Sequence, residues 1–174
     1  MLRSALSSVV IQTLQPTAII VEYDHFHDGA ATTKNRALFK VVTEWFAWLD
    51  DDDQLLPGHL ETLWNAHFAN QWADVIYPWY IMEGRSDPIA DRFGKPFDEK
   101  LFRRISYIPT TVLARTKIAQ DAGGFKSPPH DNPSYDDYGL FLDMYKAGAK
   151  FLHVPERTWI WNVKGQNTSG QPWR

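Results

Sequence analysis

The feature that most constrains the fold is the alternation of extended and helical hydrophobic patterns along the first 82 residues. Strands that are separated by helices favour parallel pairing through right-handed crossovers. The pattern therefore predicts one α/β domain over residues 1–174, with a mainly parallel central sheet flanked by helices. The predicted strands are residues 17–23, 44–49 and 74–82, and the predicted helices are 2–15, 32–42 and one that begins near Pro57.

The second half of the chain alternates less regularly. Polar stretches rich in Gly and Pro interrupt it, and they predict long loops. Here the predicted strands are residues 106–113, 151–154 and 158–163, and the predicted helices are 116–122 and 135–147.

Composition excludes several classes of function. The net charge of −3 gives no electrostatic reason to expect a nucleic-acid partner. The chain has no cysteine, which excludes a disulfide scaffold, a thiolate metal site and a cysteine nucleophile. No apolar run approaches the ~20 residues that cross a bilayer. We therefore expect no transmembrane segment and a cytoplasmic protein.

Four consecutive aspartates, residues 50–53, directly follow the strand predicted at 44–49. Adjacent carboxylates repel one another, and a hard divalent cation such as Mg²⁺ or Mn²⁺ would resolve that conflict. Asp50 and Asp52 point to the same side if the chain is still extended there. A solvated acidic turn that favours the start of the next helix is the alternative. Ligands bind at the carboxyl ends of parallel strands, which favours the metal site.

A second acidic pair, Asp136 and Asp137, begins the helix predicted at 135–147. Carboxylates in the first turn of a helix are commonly there because they complement the helix dipole. Taken alone, this pair indicates no more than a helix start.

Taken in order, the motifs of the chain resemble those of family 2 glycosyltransferases with the GT-A fold, which is Rossmann-like. The resemblance runs from near residue 2 to residue 170. The matching segments are the apolar run at 19–21 with Asp24, Asp28-Gly29, residues 34–37 (KNRA), residues 49–53 (LDDDD), Pro57, residues 123–125 (GGF), Asp136-Asp137, Gly148 and residues 167–170 (NTSG).

The resemblance implies an inverting transferase that moves a sugar from a nucleotide-sugar, such as a UDP-sugar, to a hydroxyl of a saccharide, protein or small-molecule acceptor. It implies a divalent cofactor, Mn²⁺ or Mg²⁺. Residues 1–82 would form the half that binds the nucleotide and metal, and residues 83–174 the acceptor half.

The same resemblance implies roles for single residues. Asp137 would be the general base, with the acidic Asp136 before it. The metal would be held by Asp50, Asp52 and Asp53. The nucleotide-sugar would contact Asp24, Lys34, Asp50 and Asp51. Lys164 departs from the family pattern, because it stands where relatives often have a histidine, and its ammonium group could pair with the diphosphate of the nucleotide-sugar.

The chain departs from the family pattern at the start, where the usual first strand is absent before the opening helix. Three explanations stay open: a shortened member of the family, a misplaced start, or a neighbouring subunit that supplies this edge of the sheet. An uncovered sheet edge invites pairing with another strand, so we expect a homodimer. Two alternative functions remain open: a catalytically eroded module that binds a sugar or nucleotide, and a metal-dependent phosphohydrolase or nucleotidyltransferase.

Overall fold

Helices and strands are both present in the structure, a computed structural model that describes residues 1–84, 95–127 and 135–163. None of the helices in these ranges is long and apolar enough to cross a bilayer. The helices are α1 Leu2–Val10, α2 Ala30–Leu38, α3 His59–Ala69, α4 Glu99–Phe102, α5 Thr116–Asp121 and α6 Tyr135–Lys146, and the strands are β1 Trp45–Ala47, β2 Gln54–Leu55, β3 Val75–Glu83, β4 Leu113–Arg115 and β5 Phe151–Asn162.

The strands form one sheet in the order β1-β4-β3-β5-β2. The pairing of β3 with β5 is parallel, whereas β4 runs antiparallel to both β1 and β3, and β2 runs antiparallel to β5. The α/β class is therefore confirmed, but the expected mainly parallel sheet is wrong for the described residues. The reason is that β4 and β2, which lie outside the regular strand–helix alternation, insert with the opposite direction.

Residues 17–23, predicted as a strand, have no regular secondary structure and do not belong to the sheet. Ile19 is 48% exposed and Tyr23 51% exposed, so this apolar run is not buried. Glu22 pairs instead with Arg36 and Lys40 of the α2 region. Among the described residues, this run forms no ladder with any strand of the sheet.

Helices cover both faces of the sheet, and alternation along β3 separates two parts of the core. Val75 and Tyr77 lie in the larger cluster, to which α2, α5 and α6 contribute, while Ile76 packs with Leu63 of α3 in the smaller one. All four side chains are fully buried. Successive side chains of a strand point to opposite faces, so this division follows from strand geometry.

Helix α1 fixes the chain that follows the aspartate run. The buried Ser8 hydroxyl accepts the Leu55 N–H at 3.0 Å. Gln12 donates to the Leu56 carbonyl at 2.8 Å and accepts the Leu60 N–H at 3.0 Å. These bonds satisfy backbone groups at the start of α3 and hold the run from its C-terminal side.

Candidate active site

The acidic turn, which we define as residues 50–53, connects β1 to β2 at the end of the edge strand. Its carboxylates differ in environment: Asp51 is exposed, Asp50 and Asp52 are partly buried, and Asp53 is only 5% exposed. Burial therefore differs along the acidic turn, and the Asp53 carboxylate is the one that points into the protein.

Asp53 and Asn162 join the acidic turn to the end of β5. Asp53 Oδ1 accepts the Asn162 N–H at 2.9 Å, and Asn162 Nδ2 donates to the Asp52 carbonyl at 2.7 Å. Asp53 was predicted as a metal ligand from the family resemblance. Here its carboxylate bonds to the backbone of β5, which fixes the position of the turn.

The acidic pair, Asp136 and Asp137, lies in the first turn of α6, as predicted. Asp137 Oδ2 accepts a hydrogen bond from the Thr110 hydroxyl, and Asp137 Oδ1 accepts the Tyr138 N–H at 2.7 Å. Both oxygens of Asp137 are thus oriented by donors on two different segments. Such fixed geometry is what a general base requires.

Lys34 of α2 joins the two acidic clusters. Its Nζ lies 2.8 Å from Asp136 Oδ2 and 3.3 Å from Asp50 Oδ1. The Lys34 side chain is 13% exposed, as is that of Asp136. Two carboxylates that are 86 residues apart in the sequence therefore share one ammonium group in a partly desolvated site.

Aromatic rings and a rigid turn hold Lys34 in place. Its Nζ lies 5.7 Å from the centroid of the Trp48 ring and 5.4 Å from that of Phe125, which favours a cation. The neighbouring Asn35 side chain donates to the Phe125 carbonyl at 2.9 Å and accepts the Phe125 N–H at 2.8 Å. Gly124 has φ +70, and a Cβ there would lie 2.1 Å from Asn35 Oδ1, so glycine is required.

Burial and mutual repulsion perturb the site's acids. Burial raises the pKa of Asp137 to about 6, and the Asp136 carboxylate adds to the rise, against the opposing effects of Lys34 and Thr110. Burial also raises the pKa of Asp53 to about 8 and, together with the charge of Asp50, raises that of Asp52. Burial acts to lower the pKa of Lys34, but the surrounding carboxylates outweigh it and the pKa is raised.

Asp24 lies in a separate group of charges. It accepts the backbone N–H groups of Asp28 at 3.0 Å and Gly29 at 3.2 Å, and Arg36 approaches within 3.9 Å. Desolvation acts to raise the pKa of Asp24, but hydrogen bonds with Asp28, Gly29 and Thr33 together outweigh it and the pKa is lowered. The carboxylate shapes the loop that leads into α2, and the described ion pairs do not link it to Lys34.

The donor set of the acidic turn fits a hard divalent cation. Among the described residues, no three His, Cys, Asp or Glu side chains converge as a ready-made metal cage. Mg²⁺ is commonly held by one or two carboxylates, with phosphate oxygens and water completing its shell. Asp50 and Asp52, both partly accessible, are such a set.

The structure thus brings Lys34, Asp50, Asp136 and Asp137 together, while Lys164 and residues 167–170 lie outside the described residues. Sequence reasoning did not assign Thr110, Asn162 or Trp48 to the site. Trp48 Nε1 donates to Asp50 Oδ1 at 2.9 Å. No local pattern could have found Thr110 or Asn162, because each contacts the site only through the tertiary fold.

Solved structures with the same architecture define the class of the fold. S. aureus TarS 1–349 in complex with UDP-GlcNAc matches with a TM-score of 0.71 at 15% identity, covering 95% of this chain and 56% of that one. The complex of the same protein with UDP matches with a TM-score of 0.66 at 16% identity, covering 93% and 56%. The fold is that of the GT-A glycosyltransferases.

The family described as Glycosyl transferase family 2 matches residues 4–126, which is more than half of the chain. The chain therefore belongs to glycosyltransferase family 2, and the predicted membership is confirmed.

Curated relatives carry glycosyltransferase names. The pre-mycofactocin glycosyltransferase of Mycobacterium tuberculosis (strain CDC 1551 / Oshkosh) is 27% identical over 139 residues, covering 73% of this chain and 28% of the relative. The GalNAc(5)-diNAcBac-PP-undecaprenol beta-1,3-glucosyltransferase of Campylobacter jejuni is 25% identical over 154 residues, covering 83% and 48%. The chain spans less than half the length of each of these relatives.

Proposed function

We propose that this chain transfers a sugar from a UDP-sugar to an acceptor hydroxyl, with inversion at the anomeric carbon and with a divalent cation. The observation that carries the proposal is that the acidic turn and the acidic pair meet at the Lys34 ammonium. A transferase needs a site for the leaving diphosphate and a proton acceptor for the incoming hydroxyl at one place. The names of the relatives and the UDP and UDP-GlcNAc bound by S. aureus TarS support the substrate class.

In the proposed reaction, Asp137 accepts the proton of the acceptor hydroxyl. The acceptor oxygen forms a bond to the anomeric carbon while the bond from that carbon to the diphosphate oxygen breaks. The bonding electron pair leaves with the nucleoside diphosphate, so the products are an inverted glycoside and UDP. The Thr110 hydroxyl and the Tyr138 N–H hold the Asp137 carboxylate in one orientation for this transfer.

Charge on the leaving group must be neutralised at the acidic turn. Glycosyltransferase family 2 generally uses a divalent metal, and Asp50 and Asp52 are the residues that would hold it. When bound, Mn²⁺ or Mg²⁺ supplies positive charge to the diphosphate. Lys34 adds an ammonium group, and Asp51 and Asp24 are proposed contacts of the nucleotide-sugar, with Lys164 as a further diphosphate contact. Asp53 is assigned to the metal by the resemblance alone, since its carboxylate bonds to Asn162.

The test is a transfer assay with UDP-sugars, Mn²⁺ and a panel of saccharide acceptors, read by release of UDP and by the anomeric configuration of the product. Donor and Mn²⁺ should also raise the melting temperature together, because a ligand that binds only the native state stabilises it.

The same assay distinguishes the two alternative functions. Binding of the donor without turnover would favour an eroded binding module. Release of phosphate or pyrophosphate in place of UDP would favour a phosphohydrolase or nucleotidyltransferase.

Two further expectations stay predictions. A cytoplasmic location is to be checked by cell fractionation. A homodimer is expected from the three-residue edge strand β1 and is to be checked by light scattering of the purified protein.

A further inference from the structure

The Lys34 ammonium group forms an ion pair with each acidic cluster, and the proposed reaction does not require that one lysine contact both. Among the described ion pairs, Lys34 is the cationic partner of both Asp50 and Asp136. One positive charge is thus divided between the two clusters, and Asp137 lies beside the second of them.

The position of the ammonium group is confined but not fixed to one partner. Trp48 and Phe125 enclose it at 5.7 and 5.4 Å, which limits how far it can move. Its distance to Asp50, 3.3 Å, is longer than its distance to Asp136, 2.8 Å. A small shift of Nζ would strengthen one ion pair at the expense of the other.

We propose that Lys34 is a positioning residue that couples the two clusters: a cation bound at Asp50 displaces the ammonium toward Asp136 and so strengthens its hold on the start of α6. This inference rests on the proposed function, since it assigns the cation to the acidic turn. It adds that a cation bound at the acidic turn orders the proposed base, Asp137, through the lysine that the two clusters share.

Coupling of this kind is reciprocal, and this makes it measurable without catalysis. If a cation at Asp50 favours the contact between Lys34 and Asp136, then loss of the Asp136 charge must favour the contact between Lys34 and Asp50. Lys34 then competes with the cation for that carboxylate. Loss of the Asp136 charge should therefore weaken cation binding at Asp50, although Asp136 does not ligate the cation.

The experiment measures Mn²⁺ affinity, with Mn²⁺ alone as the probe, by electron paramagnetic resonance of the free ion. The proteins are the full chain, Asp136→Asn, Lys34→Met and the double variant. We expect Asp136→Asn to weaken Mn²⁺ binding roughly tenfold, within the usual range of coupling between sites. In the Lys34→Met background the same change should alter the affinity less than about twofold.

Equal weakening in both backgrounds would overturn the proposal, because it would reflect the loss of direct attraction between the Asp136 carboxylate and Mn²⁺ rather than a shared lysine. Asp143→Asn is the matched control, since it removes the same charge from α6 at a residue that pairs with Lys126 and Lys146. If Lys34→Met does not fold, an Asp136→Asn affinity no lower than that of Asp143→Asn overturns the proposal by itself.

Activity measured on the same preparations separates this inference from the proposed function. A chain that transfers sugar but shows no coupling refutes the shared lysine alone. A chain that shows coupling but transfers nothing refutes the proposed function alone. Lys34→Arg, which keeps the charge, should restore the effect of Asp136→Asn at least in part.

Discussion

The acidic turn and the acidic pair carry the same functional group but treat it differently. In the acidic turn, residues 50–53 place four carboxylates on consecutive positions, and the pKa values of Asp52 and Asp53 are raised by burial and by their neighbours. In the acidic pair, Lys34 contacts Asp136, while Thr110 and the Tyr138 N–H contact Asp137. The turn thus holds four carboxylates beside a lysine that it shares with the pair, whereas each member of the pair has a donor directed at it.

This difference indicates a division of labour. A carboxylate that must ligate an ion gains from repulsion that the ion relieves, and a carboxylate that must accept a proton gains from fixed donors and a pKa near neutrality. The following predictions test whether each cluster behaves as its surroundings imply.

The largest effect is expected from Asp137→Asn, which preserves shape and removes the base. The rate of transfer should fall about 10³-fold, in the middle of the range for general bases. UDP and Mn²⁺ should still bind, because the acidic turn is intact. A kcat within a few-fold of the unaltered chain would remove Asp137 from the proposed mechanism.

Asp52→Ala removes a proposed ligand from the other cluster. Mn²⁺-dependent binding of UDP should weaken at least tenfold, since even outer-shell changes at metal sites cost about 10–100-fold. Isothermal titration calorimetry with UDP in the presence of Mn²⁺ measures this affinity. Asp121→Ala serves as the control, because it deletes an exposed carboxylate of α5 that pairs with Lys117. Equal binding by the two variants would argue against a metal at the acidic turn.

The pH dependence probes the acidic pair. The pKa of Asp137 is raised to about 6, so the inactive protonated acid persists up to that pH. The value of kcat/KM should therefore rise through pH 6 and fall about tenfold for each unit below it. A profile of initial rates between pH 4.5 and 8 measures this limb. A limb near pH 4 would mean that the base is an ordinary exposed carboxylate.

The smallest effect is expected from Thr110→Val, which removes one donor to Asp137. Without that hydrogen bond the pKa of Asp137 rises further, and the acid limb should move upward by about one pH unit, the equivalent of ~1.5 kcal/mol. Activity at pH 8 should change little. Thr111→Val is the control, since the Thr111 hydroxyl is buried and has no hydrogen-bond partner among the described residues. A matching shift in both variants would indicate a general packing effect.

Much of the fold could be predicted because its signals are local. The helix predicted at 135–147 appears as α6 Tyr135–Lys146, and that at 116–122 as α5 Thr116–Asp121. The strand predicted at 74–82 appears as β3 Val75–Glu83, and its ladder with β5 has a register shift beside Pro78. Each depends on periodicity or on proline within a few residues.

Pairing in the sheet could not be predicted, because it depends on contacts between distant segments. Residues 17–23 have the composition of a strand, yet among the described residues they have no neighbour with which to form a ladder. Residues 106–113 were predicted as a strand, but only β4 Leu113–Arg115 pairs there. Composition reports a tendency to be extended, and a partner is needed to make a strand.

The candidate site also combines features that local sequence predicts with features that depend on the tertiary fold. The acidic turn and the acidic pair were recognisable as runs of charge, and Lys34 by its place in a family motif. That both clusters contact one ammonium, and that Thr110 orients Asp137, are consequences of the tertiary fold.

The two hydrogen bonds between the Asn35 side chain and the Phe125 backbone restrict which natural variants are possible. A methyl group at Gly124 would collide with the Asn35 amide, so Gly124 can be replaced only if Asn35 changes as well. A relative that carries a larger residue at 124 should also have lost the amide at 35. Its lysine would then lie on a helix that lacks the two hydrogen bonds between Asn35 and Phe125, and such a protein is where we would look first for a transferase that has become a lectin-like binder.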